Sequence, residues 1–494
     1  MAAKKAPGNN GPETSDDAAK GAAAKKSPRG GAKAGGKSGT SVKAGASIGV
    51  VGMLRWFWRQ LTTMRTALFL LLLATLMIPP QMTVIPQFLL FRWLGLSLLG
   101  CSGGGGAVLK FEPFIKDYAW GSREALASLA GRAPSEEPEA ELWVGAHEAG
   151  PGTFDQGGRR CGLDEHIASD HAHHLGARSR ERFGDRLPFL LKILAADKAL
   201  SIQAHPDASR AASAPEGTYS DAWPKPEAWI PLVESEAFAG SLPFAQVQER
   251  LRALGLVSLE AMIDAARGTE RPEHALLSMI LTLETERQGP FVQEVVAALE
   301  SVVKTIEDDA EARALRTVLT VHEQFPGDIG VVVLLTMQHH LMTPGRSYFI
   351  GAGVLHSFVR GTSVEILANS DNVVRGGLTP KKVDVAELLA IVDVSTPVTA
   401  DEPRRPQPGM SRYHSEVPHF ALWELRPESE PLDVPAHGAP GLLLALDAPV
   451  SVECADERLV LGPLECAWWP AGDPPARVTG ERGARLFVAT LNDE

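Results

Sequence analysis

The chain has 494 residues, 44% of them hydrophobic and 22% charged, an ordinary globular balance with material for two to four domains. Its net charge is -12, but the first 50 residues hold nine Lys/Arg against three Asp/Glu, so the remainder carries about -18. That acidic body excludes nucleic acid as the main partner. Four cysteines without a CxxC pair (Cys101, Cys161, Cys454 and Cys466) argue against a disulfide scaffold or a thiolate metal site, leaving the 14 histidines for any metal chemistry.

Residues 1–52 are rich in Ala, Gly and Lys, with almost no large apolar side chain to offset chain entropy, and predict a disordered tail. The tail contains a P-loop string from Gly31 to Ser38, without the flanking strand and helix that would aim backbone N–H groups at a phosphate. Residues 53–106 predict a membrane-helix extension. Arg55, Arg59 and Arg65 precede the uncharged run Ala67–Ile78, Trp56 and Trp58 suit the interface, and a second apolar piece spans Met82–Gly100. Gly103–Gly106 reads as a joint.

Short apolar runs alternate with turns across 107–232, the pattern of a β-rich domain. His171, His173 and His174 lie in a polar Ala/Asp/Arg stretch and are read as a solvated helix rather than a metal site. The period changes to three and four residues over 233–327, predicting a helical insertion. Strand patterning returns over 328–395 and continues over 396–494 in short, Pro- and Gly-punctuated pieces. The expected fold is mainly β, with two jelly-roll halves around a helical insertion.

Chemistry concentrates between Tyr348 and Lys382. Two short strands are expected there, Tyr348–Ile350 and Ser363–Leu367, with His356, Glu365, Asp371, Asn372, Arg375, Lys381 and Lys382 between and after them. Upstream, Gln203 and His205 are two apart, which on a strand puts both on one face and Ile202 and Ala204 on the other. With Glu227 and His356 they offer one amide oxygen, one carboxylate and two imidazoles, a set suited to Zn²⁺ with room for further oxygen ligands.

The stretch 348–382, together with LSIQAHPD (200–207) and KPE (225–227), resembles type I mannose-6-phosphate isomerase, also called phosphomannose isomerase, of the zinc cupin superfamily. The resemblance implies a double cupin and an aldose–ketose isomerase interconverting mannose 6-phosphate and fructose 6-phosphate through a cis-enediol. It implies one Zn²⁺ per chain, held by Gln203, His205, Glu227 and His356. Arg375 matches the family's catalytic arginine, and Lys225 is expected beside it, with Glu365 and Asp371 as acid–base candidates. Lys192, Lys225 and Lys381 match family lysines lining the pocket, with Ser201 nearby, so Ser201, Lys192 and Lys381 are expected to bind substrate. The partner is then a small sugar phosphate, the catalytic body is cytoplasmic, and membrane association runs through 53–100.

The sequence departs from the family pattern at several places. Trp223-Pro224 stand where Asn-His is usual, Phe358 stands for a Tyr, and Phe238-Ala239-Gly240 replace a Gly-Phe-Arg string. Gly345-Arg346-Ser347 stand where Gly-Glu-Ala is common. These changes keep a second expectation open, a metal cupin that binds a sugar phosphate without turnover or with altered specificity. Separately, the string LTTMRTALFLLLLATLMIPPQ resembles the opening of ResB-like cytochrome c biogenesis proteins over roughly 30 residues, and nothing of that family's remaining body follows.

Overall fold

The computed structural model describes residues 108–494, apart from Lys382, Ser429, His437 and Glu494. The expected disordered tail and membrane extension therefore lie outside the described residues. Among the described residues, no helix is long and apolar enough to cross a membrane.

The catalytic half is one ten-stranded antiparallel sheet, rolled so that one face turns inward. Its strands are β1 (Phe114–Lys116), β2 (Glu141–Val144), β3 (Phe189–Ala196), β4 (Ile202–Ala204), β5 (Glu227–Pro231), β6 (Ser235–Ser241), β7 (Met337–Met342), β8 (Tyr348–Ile350), β9 (His356–Ala368) and β10 (Val374–Gly377). Strand β9 is the hub, because it pairs with β3, β4, β5 and β6. It is also far longer than the Ser363–Leu367 expected from sequence. Its first half has no clean polar alternation, since His356 to Val359 are all buried. A strand covered on both faces leaves no period-2 signal.

Helices fill the connection between β6 and β7, from Phe244–Ala253 through Gly330–Leu334. Their apolar stripes form one core with Ile202, Ala204, Phe238, Val359 and Val374 from the outer face of the sheet. The helix-forming stretch begins only at Phe244. Ser235–Ser241, within the block read as helical, forms strand β6, with Ala237 and Ala239 facing into the barrel and Phe238 facing the helices.

The C-terminal half is a second rolled structure. A six-stranded sheet runs Leu109–Phe111, Cys466–Trp469, Gly441–Leu446, Arg485–Thr490, Ala421–Leu425, Met410–Arg412, facing a four-stranded sheet that includes Val450–Cys454 and Ala476–Gly480. Leu443, Ala445, Val450, Val452, Trp469, Val478, Leu486 and Val488 fill its interior with apolar side chains. The alternate residues Leu442, Leu444, Trp468 and Phe487 meet Leu142, Phe189, Leu191, Ile193, Ala228, Ile230, Val364 and Ile366 of the catalytic half in one shared core. Leu109–Phe111, the first described strand, pairs with Cys466–Trp469, so the two halves interlock.

The helix His171–Phe183 corrects one expectation. His173 is exposed beside Asp473, but His174 is buried, and its Nδ1 accepts from Trp468 Nε1 at 3.3 Å. The polar composition of the stretch concealed one buried face.

Candidate metal centre and catalytic cavity

Period-2 alternation builds the cavity. On β3, β5 and β9, residues Ile193, Ala228, Val364 and Ile366 point to the shared core, so their neighbours Lys192, Glu227, Trp229 and Glu365 point inward. Register then lines them up: Lys192 lies opposite Trp143 on one side and Glu365 on the other, and Glu365 lies opposite Trp229.

His205 follows the end of β4, and His356 opens β9 after a turn at Gly353. Gly353 has φ +75°, and a Cβ there would lie 2.4 Å from the Ile391 carbonyl oxygen. Its N–H donates to the His205 carbonyl at 2.8 Å, tying the two histidine segments together. Each imidazole uses Nδ1 on a backbone carbonyl: His205 donates to Asn372 O at 2.7 Å and His356 to Val354 O at 2.9 Å. Both Nε2 atoms therefore converge on Glu227, at 3.3 Å from His205 and 3.4 Å from His356.

Burial pushes His205 down to about 3 and lowers His356 as well, so both rings are neutral at ordinary pH. Glu227 feels the same burial, which raises a carboxyl, but Lys225 first and then His356 and His205 together more than reverse it and hold the group well below the usual carboxylate range. Two imidazole lone pairs thus face a carboxylate, an acceptor-against-acceptor arrangement that calls for a cation. Lys225 Nζ supplies part of that charge, 3.0 Å from Glu227 and 3.3 Å from His205 Nε2. The ligating atoms of His205, Glu227 and His356 lie within 4.8 Å of one another, all buried. Gln203 pairs across the backbone with His356 and Arg375 and lines the same cavity. The donor set fits a borderline metal such as zinc.

Beside this cluster is a buried charge chain. Lys192 Nζ is 3.5 Å from Glu141 and 3.3 Å from Glu365, over the Trp143 ring at 4.8 Å. Trp143 Nε1 donates to Glu141 at 2.5 Å, and Trp229 Nε1 donates to Glu365 at 3.1 Å. Burial works against the Lys192 ammonium, but the two carboxylates override it and hold its pKa above the ordinary lysine value. Glu365 is raised, first by burial and then by the Glu227 charge, against the opposing pull of Lys192.

Of the other residues singled out from sequence, Phe358 lines the cavity, whereas Arg375, Asp371, Ser201 and Lys381 do not. Arg375 lies on β10 opposite Gln203, half-buried, with no acidic partner among the described residues. Asp371 is half-exposed and accepts from His147 Nε2 at 3.3 Å, a pairing that lowers its carboxyl pKa. Ser201 precedes β4 and is partly buried; Lys381 is exposed on the loop after β10. Among the family departures, Phe358 packs edge-on to Trp229, and Arg346 pairs with Glu402 at 2.8 Å. Trp223 lies under the Arg186 guanidinium and beside His419. A larger cavity of about 530 Å³, lined by Arg405, Tyr413, Glu424 and Arg426, gathers no metal-ligating cluster among the described residues, so chemistry rather than size marks the site.

Residues 108–244 match the family described as phosphomannose isomerase type I, catalytic domain. The mannose-6-phosphate isomerase of Homo sapiens is 30% identical over 403 residues, covering 76% of this chain and 91% of that one. The chain belongs to the type I phosphomannose isomerase family. The crystal structure of a mutant phosphomannose isomerase from Salmonella typhimurium aligns with a TM-score of 0.70 and 27% identity, over 78% of this chain and all of that one. A mannose 6-phosphate isomerase structure bound with zinc and yttrium aligns with a TM-score of 0.69 at 27% identity and the same coverage. The cupin-like fold follows from these likenesses.

Sequence reasoning read Trp143 as core or pocket wall and passed over Glu141, Trp229 and His147. A signal was present for Glu141 and Trp229: once Lys192 and Glu227 are placed inward, alternation predicts inward neighbours on the adjoining strands. His147 has no such signal, because it sits in the loop after β2.

Proposed function

We propose that this chain is a zinc-dependent isomerase interconverting mannose 6-phosphate and fructose 6-phosphate. The observation that carries the reading is the convergence of two neutral imidazole Nε2 atoms on Glu227, next to Lys225 and the Lys192–Glu365 pair. Gln203, His205, Glu227 and His356 would hold one zinc ion per chain, whose Lewis acidity stabilises negative charge on a sugar oxygen.

The chain's own groups supply the rest. A cis-enediol needs a base that takes the proton from one carbon and returns it to the next. Of the two acid–base candidates, Glu365 lines the cavity and Asp371 does not, and the raised pKa of Glu365 suits it to hold a proton between the two transfers. Lys225 places positive charge where the enediolate oxygen develops. Arg375, paired with no carboxylate among the described residues, has its planar fork available for phosphate or enediolate oxygens. Lys381 and Ser201 are assigned to the phosphate-binding rim, and Lys192 holds Glu365 in place from inside. In this reading, a body of this chemistry is attached to a membrane through residues 53–100, which fractionation of the full chain tests.

The deciding experiment is turnover of mannose 6-phosphate by the full chain before and after chelation, with zinc added back. Loss on chelation and recovery with zinc are expected. Bound zinc without turnover of mannose 6-phosphate or fructose 6-phosphate would sink the reading.

A further inference from the structure

Asn372 is buried, uncharged and absent from the cavity wall, and its amide spends its hydrogen bonds on one loop. Its Oδ1 accepts from the N–H groups of Ser220 at 2.8 Å and Asp221 at 3.2 Å. Its Nδ2 donates to the carbonyls of Asp221 at 2.7 Å and Trp223 at 2.8 Å. That loop runs directly into Lys225 and Glu227. From its main chain, the Asn372 carbonyl accepts the Nδ1–H of His205 at 2.7 Å. Its N–H donates to Ser370 Oγ at 3.2 Å, and that hydroxyl donates to Asp221 Oδ1 at 3.0 Å.

One residue thus touches both sides of the metal cluster. The carbonyl that selects the His205 tautomer belongs to a peptide whose orientation is held by the same side chain that anchors the Lys225–Glu227 segment. With both amide hydrogens and both carbonyl lone pairs engaged, the side chain has no alternative pose of equal energy. A loop requiring only closure would not need its anchor on the strand connection that also orients a metal-ligating imidazole.

We infer that Asn372 is a positioning residue that registers His205 against Glu227 and Lys225, so that metal affinity depends on a side chain that never touches the metal. The inference rests on the metal-site reading above. Groups that orient a metal-ligating histidine commonly contribute 10–100-fold in affinity.

The test compares the full chain with its Asn372→Ala and Asn372→Asp variants. Zinc affinity is measured by competition with a chromophoric chelator, and the unfolding midpoint is measured on metal-free protein. The Asp variant keeps the shape but turns two donors into acceptors facing carbonyl oxygens. Both variants are expected to bind zinc about 10–100-fold more weakly, with the loss exceeding any change in the metal-free midpoint. A wild-type chain that fails to bind zinc overturns the metal reading itself. A wild type that binds, with folded variants within twofold of it, overturns the positioning role, as does a lowered metal-free midpoint at unchanged affinity. Ser370→Ala removes only the bridging hydroxyl. It is expected to lose zinc affinity several-fold, and an unchanged affinity there refutes the role even where both Asn372 variants fail to fold.

Discussion

Replacing Lys192 by methionine tests the buried charge chain most directly. The methionine nearly fills the lysine's volume but leaves Glu141 and Glu365 in the barrel without the cation between them. Breaking a buried pair by removing one partner costs about 3–5 kcal/mol, because the remaining charge is uncompensated. Unfolding entropy of about 2.1 cal/mol/K per residue gives roughly 0.8 kcal/mol/K for a body of ~390 residues, so the midpoint should fall by about 4–6 °C. The pH dependence carries its own sign. Glu365 is already raised by burial against the pull of Lys192, and without that cation its folded pKa rises further above its unfolded one, so the stability it retains is fully present at low pH and is lost as pH rises through the folded value. Thermal unfolding of Lys192→Met should therefore show a larger deficit at pH 8 than at pH 5. Adding Glu365→Gln should recover part of it, since one of the stranded charges is then gone. A variant as stable as wild type at pH 8, or a deficit independent of pH, would refute the idea that Lys192 neutralises this pair.

Arg375→Ala should lower kcat/KM for mannose 6-phosphate at least 100-fold, about 2.7 kcal/mol in the transition state, while zinc content stays unchanged. Because burial holds this guanidinium below its ordinary pKa with no acidic partner to offset it, the same variant should be as stable as wild type or more so, read by thermal unfolding. His174, lowered to about 4 chiefly by burial and accepting a hydrogen bond from Trp468, must stay neutral in the folded state. Its unfolded form takes up the proton first, so this stability is complete above about pH 6.5 and is lost as pH falls toward 4; His174→Gln should flatten the acid limb of midpoint against pH. Removing the metal should destabilise the wild-type chain by about 2.7 kcal/mol relative to protein in free zinc at 100 times its dissociation constant. A midpoint indifferent to zinc in calorimetry would contradict the His205–Glu227–His356 site.

The parts of the site legible from sequence were those whose geometry is local. Gln203 and Ile202 fall on opposite faces of β4 because they are adjacent on a strand, and Gly353 announces the turn before His356 because a Cβ would not fit there. What sequence could not supply was pairing across the sheet. Glu141 lies two residues from the position opposite Lys192, and Glu365 lies opposite Lys192 itself, yet the three are separated by 51 and 173 positions in the chain. Strand β6 escaped notice for a related reason. Its alanines and glycine have weak strand preference, and long-range pairing with β7 and β9 overrides it. Asn372 was visible as a residue but not as a junction, because its partners Ser220 and His205 become neighbours only when three strands meet.

The shared core between the halves has a consequence for how such a protein can be inherited. The outward positions Ile193, Ala228, Ile230, Val364 and Ile366 of β3, β5 and β9 are as apolar as any interior, and Leu442, Leu444, Trp468 and Phe487 of the C-terminal half cover them together with Leu126, Leu163 and Ile167. A lineage that changed one inward cavity residue would lose activity or a few kcal/mol, whereas one that discarded the C-terminal sheets would strand a broad apolar face in water. The half that adds no side chain to the metal cluster among the described residues thus helps to keep the active strands out of water.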